Sequence, residues 1–199
     1  MQWKDSGGGD FETAPAGTHI ARCIKLIDVG TQHGEYQGKP TRRRQCMVVW
    51  ELPNELIQTG EFAGKPFTAS KIYTQSLSEK SNLRHDLVNW RGRDFTDAEL
   101  SGFDARNILG KPCMVTLSTK PNGKTKVTGV SAVPKGFETP PQVNPVFYFS
   151  LDEFDKDAFD SMSEKMRAWI ARSDEYVAMT TGRPNPPPFD EFPDDDIPF

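Results

Sequence analysis

The apolar residues of this chain change period twice, and few architectures accept that order. Over residues 17–29 the β-branched character is high (Thr18, Ile20, Ile24, Ile27, Val29), which predicts a first strand. Residues 30–40 are polar and Gly-rich and read as a loop. A second strand is expected over residues 41–52, apolar on both faces at Cys46-Met47-Val48-Val49-Trp50 and ended by Pro53 and Asn54. A third, over residues 67–77, follows Gly64-Lys65-Pro66. The period then lengthens. Leu83, Leu87 and Trp90 fall at i, i+4 and i+7 behind Ser81, predicting a helix over residues 81–90. Thr96 and Glu99 have capping-box spacing, and residues 104–109, closed by Gly110, read as another helical turn. Strand character returns over residues 112–119 and 124–133, joined at Asn122-Gly123, a two-residue hairpin signal.

Three strands, a helical insert and a hairpin form the element order of an OB-fold, a five-stranded Greek-key barrel with a helix between its third and fourth strands. Small mixed α+β domains can give the same string. The expected class is mainly β with helical additions: a flexible arm (1–16), an OB-fold domain (17–145), a helical extension (146–180) and a disordered Pro-rich acidic tail (181–199). In the extension, Ser150 and Glu153 repeat the capping-box spacing. Phe159, Met162, Met166, Trp169 and Ile170 then keep one face apolar, predicting a helix over residues 152–177. Its stripe would bury against the barrel or against a second copy, so a homo-oligomer stays open. From Gly182 onward 6 of 18 residues are Pro, which favours an extended, semi-stiff tether.

Hydrophobic residues make up 36% of the 199, low for a fully packed chain. No run of about 18 apolar residues and no charged-then-apolar leader is present, which predicts a soluble, non-exported, cytoplasmic protein with no membrane partner. Cys23, Cys46 and Cys113 are scattered in apolar stretches and read as buried small hydrophobes rather than a disulfide framework. His19, His33 and His85 lack metal-ligand spacing, and no phosphate-cradling Gly-Lys-Ser/Thr loop or nucleophile–base constellation is evident. Neither metal, cofactor nor catalysis is expected.

The net charge of −4 is unevenly spread. Residues 1–150 hold 19 Lys+Arg against 15 Asp+Glu, and residues 151–199 hold 5 against 13. A mildly basic body with an acidic end suits a nucleic-acid partner. The last ten residues, DEFPDDDIPF, carry five carboxylates and no base, then an apolar Ile-Pro-Phe. A ring, a carboxylate and flanking acids together suit an apolar pocket rimmed by Arg or Lys. The string Asp194-Asp195-Asp196-Ile197-Pro198-Phe199 resembles the C-terminal tip of bacterial single-stranded DNA-binding (SSB) proteins. That resemblance implies docking of replication, recombination and repair enzymes. The body resembles the OB-fold SSB proteins of tailed bacteriophages at Tyr73-Thr74-Gln75-Ser76-Leu77 followed by Leu83 and Trp90.

Sequence-tolerant binding of single strands needs cations that track phosphates and rings on which bases stack. The densest cationic cluster is Arg42-Arg43-Arg44 with Lys39 before it, Arg42 and Arg44 sharing one face of a strand and Arg43 taking the other. Tyr36 stands in the preceding loop. Lys71 and Tyr73, two apart, would place a cation beside a ring, and Lys120, Lys124 and Lys126 flank the Asn122-Gly123 turn. Trp50 and Trp90 read as core; Trp3 and Phe62 leave stacking and packing equally open. The function expected is coating of single-stranded DNA with enzyme recruitment through the tip, the tip also competing with DNA at low salt. The alternatives are an adaptor or inhibitor that occupies host SSB-binding enzymes without touching DNA, or a strand-annealing recombination mediator.

Overall fold

In the computed structural model, which describes residues 12–183, one long strand organises everything else. Strand β1 (Gly17–Tyr36) pairs antiparallel with β2 (Lys39–Leu56) along most of its length, and β2 pairs antiparallel with β3 (Pro66–Thr74). On its other side β1 pairs first with β4 (Pro112–Thr119) over Gly17–Arg22 and then, in parallel, with the short β6 (Phe147–Phe149) over Lys25–Ile27. Strand β5 (Thr125–Ser131) completes the order β3-β2-β1-β4-β5. The two outermost strands of that order, β3 and β5, approach one another, and helix α1 (Asn82–Arg91) packs against both. Among the described residues the architecture is thus mainly β, a six-stranded sheet with five α-helices.

Most elements form where the periods predict. Ser81 caps α1 by accepting from the Leu83 and Arg84 N–H groups, and the Thr96–Glu99 capping box opens α2 (Asp97–Ser101). A 3-10 turn, Ala105–Ile108, follows Asp104. Trp50 and Trp90 lie in the core with ring centroids 6.3 Å apart, and Trp90 Nε1 donates to Pro112 O at 2.7 Å. All three cysteines are buried free thiols; burial pushes Cys23 and Cys46 up to about 12 and Cys113 higher still.

Strand β3 ends at Thr74 rather than at residue 77, and β6 forms where a helical extension was expected; four further features differ from expectation. The first strand does not stop at Val29 but runs to Tyr36, so the expected loop over residues 30–40 shrinks to a turn at Gln37-Gly38. Both turn residues take positive φ (51° and 74°), the turn that matches the twist of paired strands. The second strand passes Pro53 and Asn54 to reach Leu56, through a register shift after Leu52. The Asn122-Gly123 hairpin has three loop residues, not two. Gly123 alone has positive φ, its N–H donates to Lys120 O, and Lys120 pairs with Lys124. Pro121 explains this, because its ring holds φ negative and favours a type I turn followed by a left-handed Gly.

The fourth difference is the extension. The single helix expected over residues 152–177 is three short ones: α3 (Lys156–Ser161), α4 (Glu164–Ile170) and α5 (Asp174–Thr181). Asp155, Ser163 and Ser173 each cap a helix by accepting from its first-turn N–H groups, and these recurring caps divide the apolar stripe. The stripe still packs on the sheet. Phe159 and Ile170 join Ile27, Val29, Phe149 and Leu151 in a second core on the outer side of β1, while Leu26, Val48, Trp50 and Val115 belong to the first, on the inner side. Register shifts after Cys23 and Asp28 let residues 26–31 of β1 be buried on both faces. No helix among the described residues is long and apolar enough to cross a membrane.

Candidate nucleic-acid interface

Apart from Lys71, which stands in mid-sheet opposite Val48, the cations singled out in the sequence lie towards opposite ends of β1. Tyr36 pairs with Lys39 across the Gln37-Gly38 turn, and its hydroxyl accepts from Gln37 Nε2 at 3.2 Å. Lys39 is exposed. At the other end Gly17 pairs with Leu117, so the turn bearing Lys120 and Lys124 projects beyond the start of β1; Lys124 is exposed and Lys120 and Lys126 are half-buried. The two sets are separated by nearly the whole length of the strand.

The arginine cluster is committed inside the molecule. Arg42 Nε donates to Asp174 Oδ2 at 2.5 Å with its side chain only 8% exposed. Arg44 reaches Asp28 at 2.6 Å and Asp152 at 2.8 Å; burial opposes its charge, but these two carboxylates outweigh that and raise its pKa. Arg43 is half-buried and also engaged. Lys71 and Tyr73 do come together, the Lys71 ammonium lying 5.0 Å from the Tyr73 ring centroid. Both donate to Asp86 Oδ2 at 2.7 Å, however, and Tyr73 is 3% exposed, which leaves its ring no face for a base. Burial, then the Asp86 charge, push the Tyr73 hydroxyl well above its ordinary pKa.

Between the two ends lies a face that sequence reasoning missed. The alternation of β2 turns Cys46, Val48 and Trp50 inward and leaves Met47 and Val49 half-buried on the outer side. There they stand beside Ile27 and Lys25 of β1 and Ile72 and Ser70 of β3. With Thr68, Phe147 and, across the gap, Met162, Ser163 and Met166, they line a groove of about 320 Å³. Lys25 is exposed with its ammonium 5.8 Å from the Phe147 ring centroid. A cation, a ring, hydroxyls and an apolar floor in one shallow groove are the components that stacking of a base beside a held phosphate requires. Lys25 was the available signal, a lone cation among apolar strand residues.

Buried anchors position Phe147. Glu51, 0% exposed, accepts from the Val143 N–H at 2.9 Å and from the Asn144 N–H and Nδ2, both at 2.8 Å. Arg22 donates to Gly110 O and Pro140 O, each at 2.7 Å. Together they fix the segment that carries the chain from β5 into β6. Phe62, left open in the sequence, is 46% exposed in the β2–β3 connection with Lys65 Nζ 5.2 Å from its ring centroid. That connection lies at the same end of the sheet as the β4–β5 turn, where His19 Nδ1 meets Glu55 at 3.0 Å. Trp3 and the hexapeptide 194–199 lie outside the described residues.

A larger cavity of about 530 Å³ opens beside α1, but three of its lining groups are Asp28, Asp104 and Asp152 against Arg106 alone, a poor setting for phosphate. Among the described residues no group of three or more His, Cys, Asp or Glu is arranged to hold a metal ion. No protein-family model matches this sequence, and comparison with curated proteins gives no match.

Proposed function

We propose that this protein binds single-stranded DNA without sequence preference on an OB-type barrel and recruits replication, recombination and repair enzymes through the hexapeptide Asp194–Phe199. The observation that carries the reading is that hexapeptide: three acids before Ile-Pro-Phe, joined by a Pro-rich stretch to a more basic, strand-rich body. The barrel part is supported by the strand order β3-β2-β1-β4-β5, the approach of β3 to β5 and the helix between β3 and β4. OB-type barrels bind oligonucleotides on the face of their second and third strands and on the loops joining strands one to two and four to five. Lys25, Met47 and Phe147 border that face; Tyr36 and Lys39 flank the first of those loops, Lys120 and Lys124 lie in the second, and Lys126 follows it in β5.

A second reading, an adaptor that occupies enzymes through the hexapeptide and binds no strand, gains from the commitment of Arg42 and Arg44 to carboxylates. Titration of a labelled dT oligonucleotide at low salt separates the two. Binding is expected, weakening as salt rises with a log–log slope of about −0.7 per phosphate neutralised. Undetectable binding at low salt would favour the adaptor, and faster pairing of complementary strands would add annealing.

A further inference from the structure

Four hydrogen-bond donors converge near the turn of the β1–β2 hairpin, and all four are held by carboxylates of one helix. The Thr31 N–H and Thr31 Oγ1 donate to the two oxygens of Glu175, each at 2.6 Å. His33 Nε2 lies 2.8 Å from Asp174 Oδ1, and Arg42 Nε donates to Asp174 Oδ2 at 2.5 Å. Strand geometry explains the convergence: Thr31 and His33 are two apart on β1, and Arg42 is the register partner of His33. Backbone N–H, hydroxyl, imidazole and guanidinium in one cluster form an oxyanion site, able to hold the oxygens of a phosphate as well as those of two carboxylates.

The occupant is weakly anchored. Ser173, the cap of α5, is fully buried, and a Cβ built on Gly30 would stand 2.5 Å from Ser173 Cβ, so the start of the helix is seated firmly on β1. Beyond it no residue of α5 is buried, and its attachments include Asp174, Glu175 and the contacts of the Tyr176 ring with Phe159 at 5.2 Å and Phe154 at 6.0 Å. Releasing the Thr31 donors, His33 Nε2 and Arg42 Nε from these two carboxylates therefore takes rotation of two side chains or fraying of one short helix, an opening of low cost compared with unfolding.

We propose that Thr31, His33 and Arg42 form a phosphodiester-binding subsite that Asp174 and Glu175 of α5 plug until a single strand displaces them. This rests on the strand-binding reading above and adds to it the site at the hairpin end and the control of access to it.

In the full chain, Asp174→Asn with Glu175→Gln removes both charges and keeps side-chain size. Anisotropy titration with a dT oligonucleotide is expected to show severalfold tighter binding at low salt and a slope steeper by about 0.7 per phosphate newly held. Adding Arg42→Gln should return both to parent values. A control, Asp157→Asn with Glu164→Gln, makes the same charge change on α3 and α4 and should leave the slope unchanged. Equal affinity and slope in parent and double variant, or a gain that survives Arg42→Gln, overturns the subsite while strand binding stands. Binding by neither parent nor variant overturns both. If the double variant melts far below the parent, Asp174→Asn alone reads the same slope, because Asp174 is the carboxylate that meets Arg42 and His33. Amide exchange over α5 separates the sources of phosphate: it should rise with the dT oligonucleotide and not with inorganic phosphate at equal phosphate concentration. A rise with inorganic phosphate alone would overturn the strand as the ligand.

Discussion

Glu51 shows how much a single side chain can decide. A carboxylate with 0% exposure is costly to bury, and here three N–H donors from residues 143 and 144 offset that cost. The same bonds hold the approach to β6 and so the ring of Phe147. Glu51→Ala would strand two backbone N–H groups, and urea denaturation should report a loss of about 3 kcal/mol. Glu51→Gln keeps one acceptor and should lose less; equal stability of all three forms would show that the segment is held by something else. Asp28 serves comparably, accepting from the Gly30 and Leu151 N–H groups, Arg44 and Gln75. Nothing local in the sequence distinguishes Glu51 or Asp28 from a solvated carboxylate, because every donor to Glu51, and every donor to Asp28 except the Gly30 N–H, lies far along the chain.

At the scale of elements, local chemistry was legible and its termination was less so. Caps at Ser81 and Thr96 were readable, since a cap is a contact between neighbours in sequence, while Asp104 was read as part of its turn and caps it. The capping-box carboxylate of Glu99 is held down to about 2, first by hydrogen bonding from Arg93, then by the Thr96 N–H, with Arg91 adding to it. A carboxylate with a depressed folded pKa contributes stability above its unfolded value. That contribution is complete above about 4.5 and lost as pH falls towards about 2. The Thr96 and Glu99 amides should therefore lose exchange protection in that window while α1 keeps its own; protection unchanged to pH 2 would sink the assignment. The β1–β2 turn was missed because Gln-Gly is a weaker hairpin signal than Asn-Gly, and the extension was read as one helix because its stripe outlasts its caps.

For the whole molecule, the groove makes a claim that the arginine cluster could not. Phe147→Ala should weaken binding of a dT oligonucleotide by about 1–3 kcal/mol, the worth of one stacked base, and Lys25→Ala should make the salt slope shallower by about 0.7. Unchanged affinity in both variants would place the interface elsewhere on the sheet. The sequence by itself determined the order of the first five strands and of the helical turns between β3 and β4, the burial of Trp50, Trp90 and the three thiols, the asymmetry of charge and the hexapeptide on which the proposed recruitment rests. Those properties depend on residue type and on spacing within a few positions. Only the tertiary structure decided which cations remain outside and which are consumed. Arg42, Arg44 and Lys71 look as available as Lys25 in a string of letters, yet Asp174, Asp28, Asp152 and Asp86 meet them across the fold. A charge's availability is set by partners that folding brings near, and spacing along the chain does not encode them.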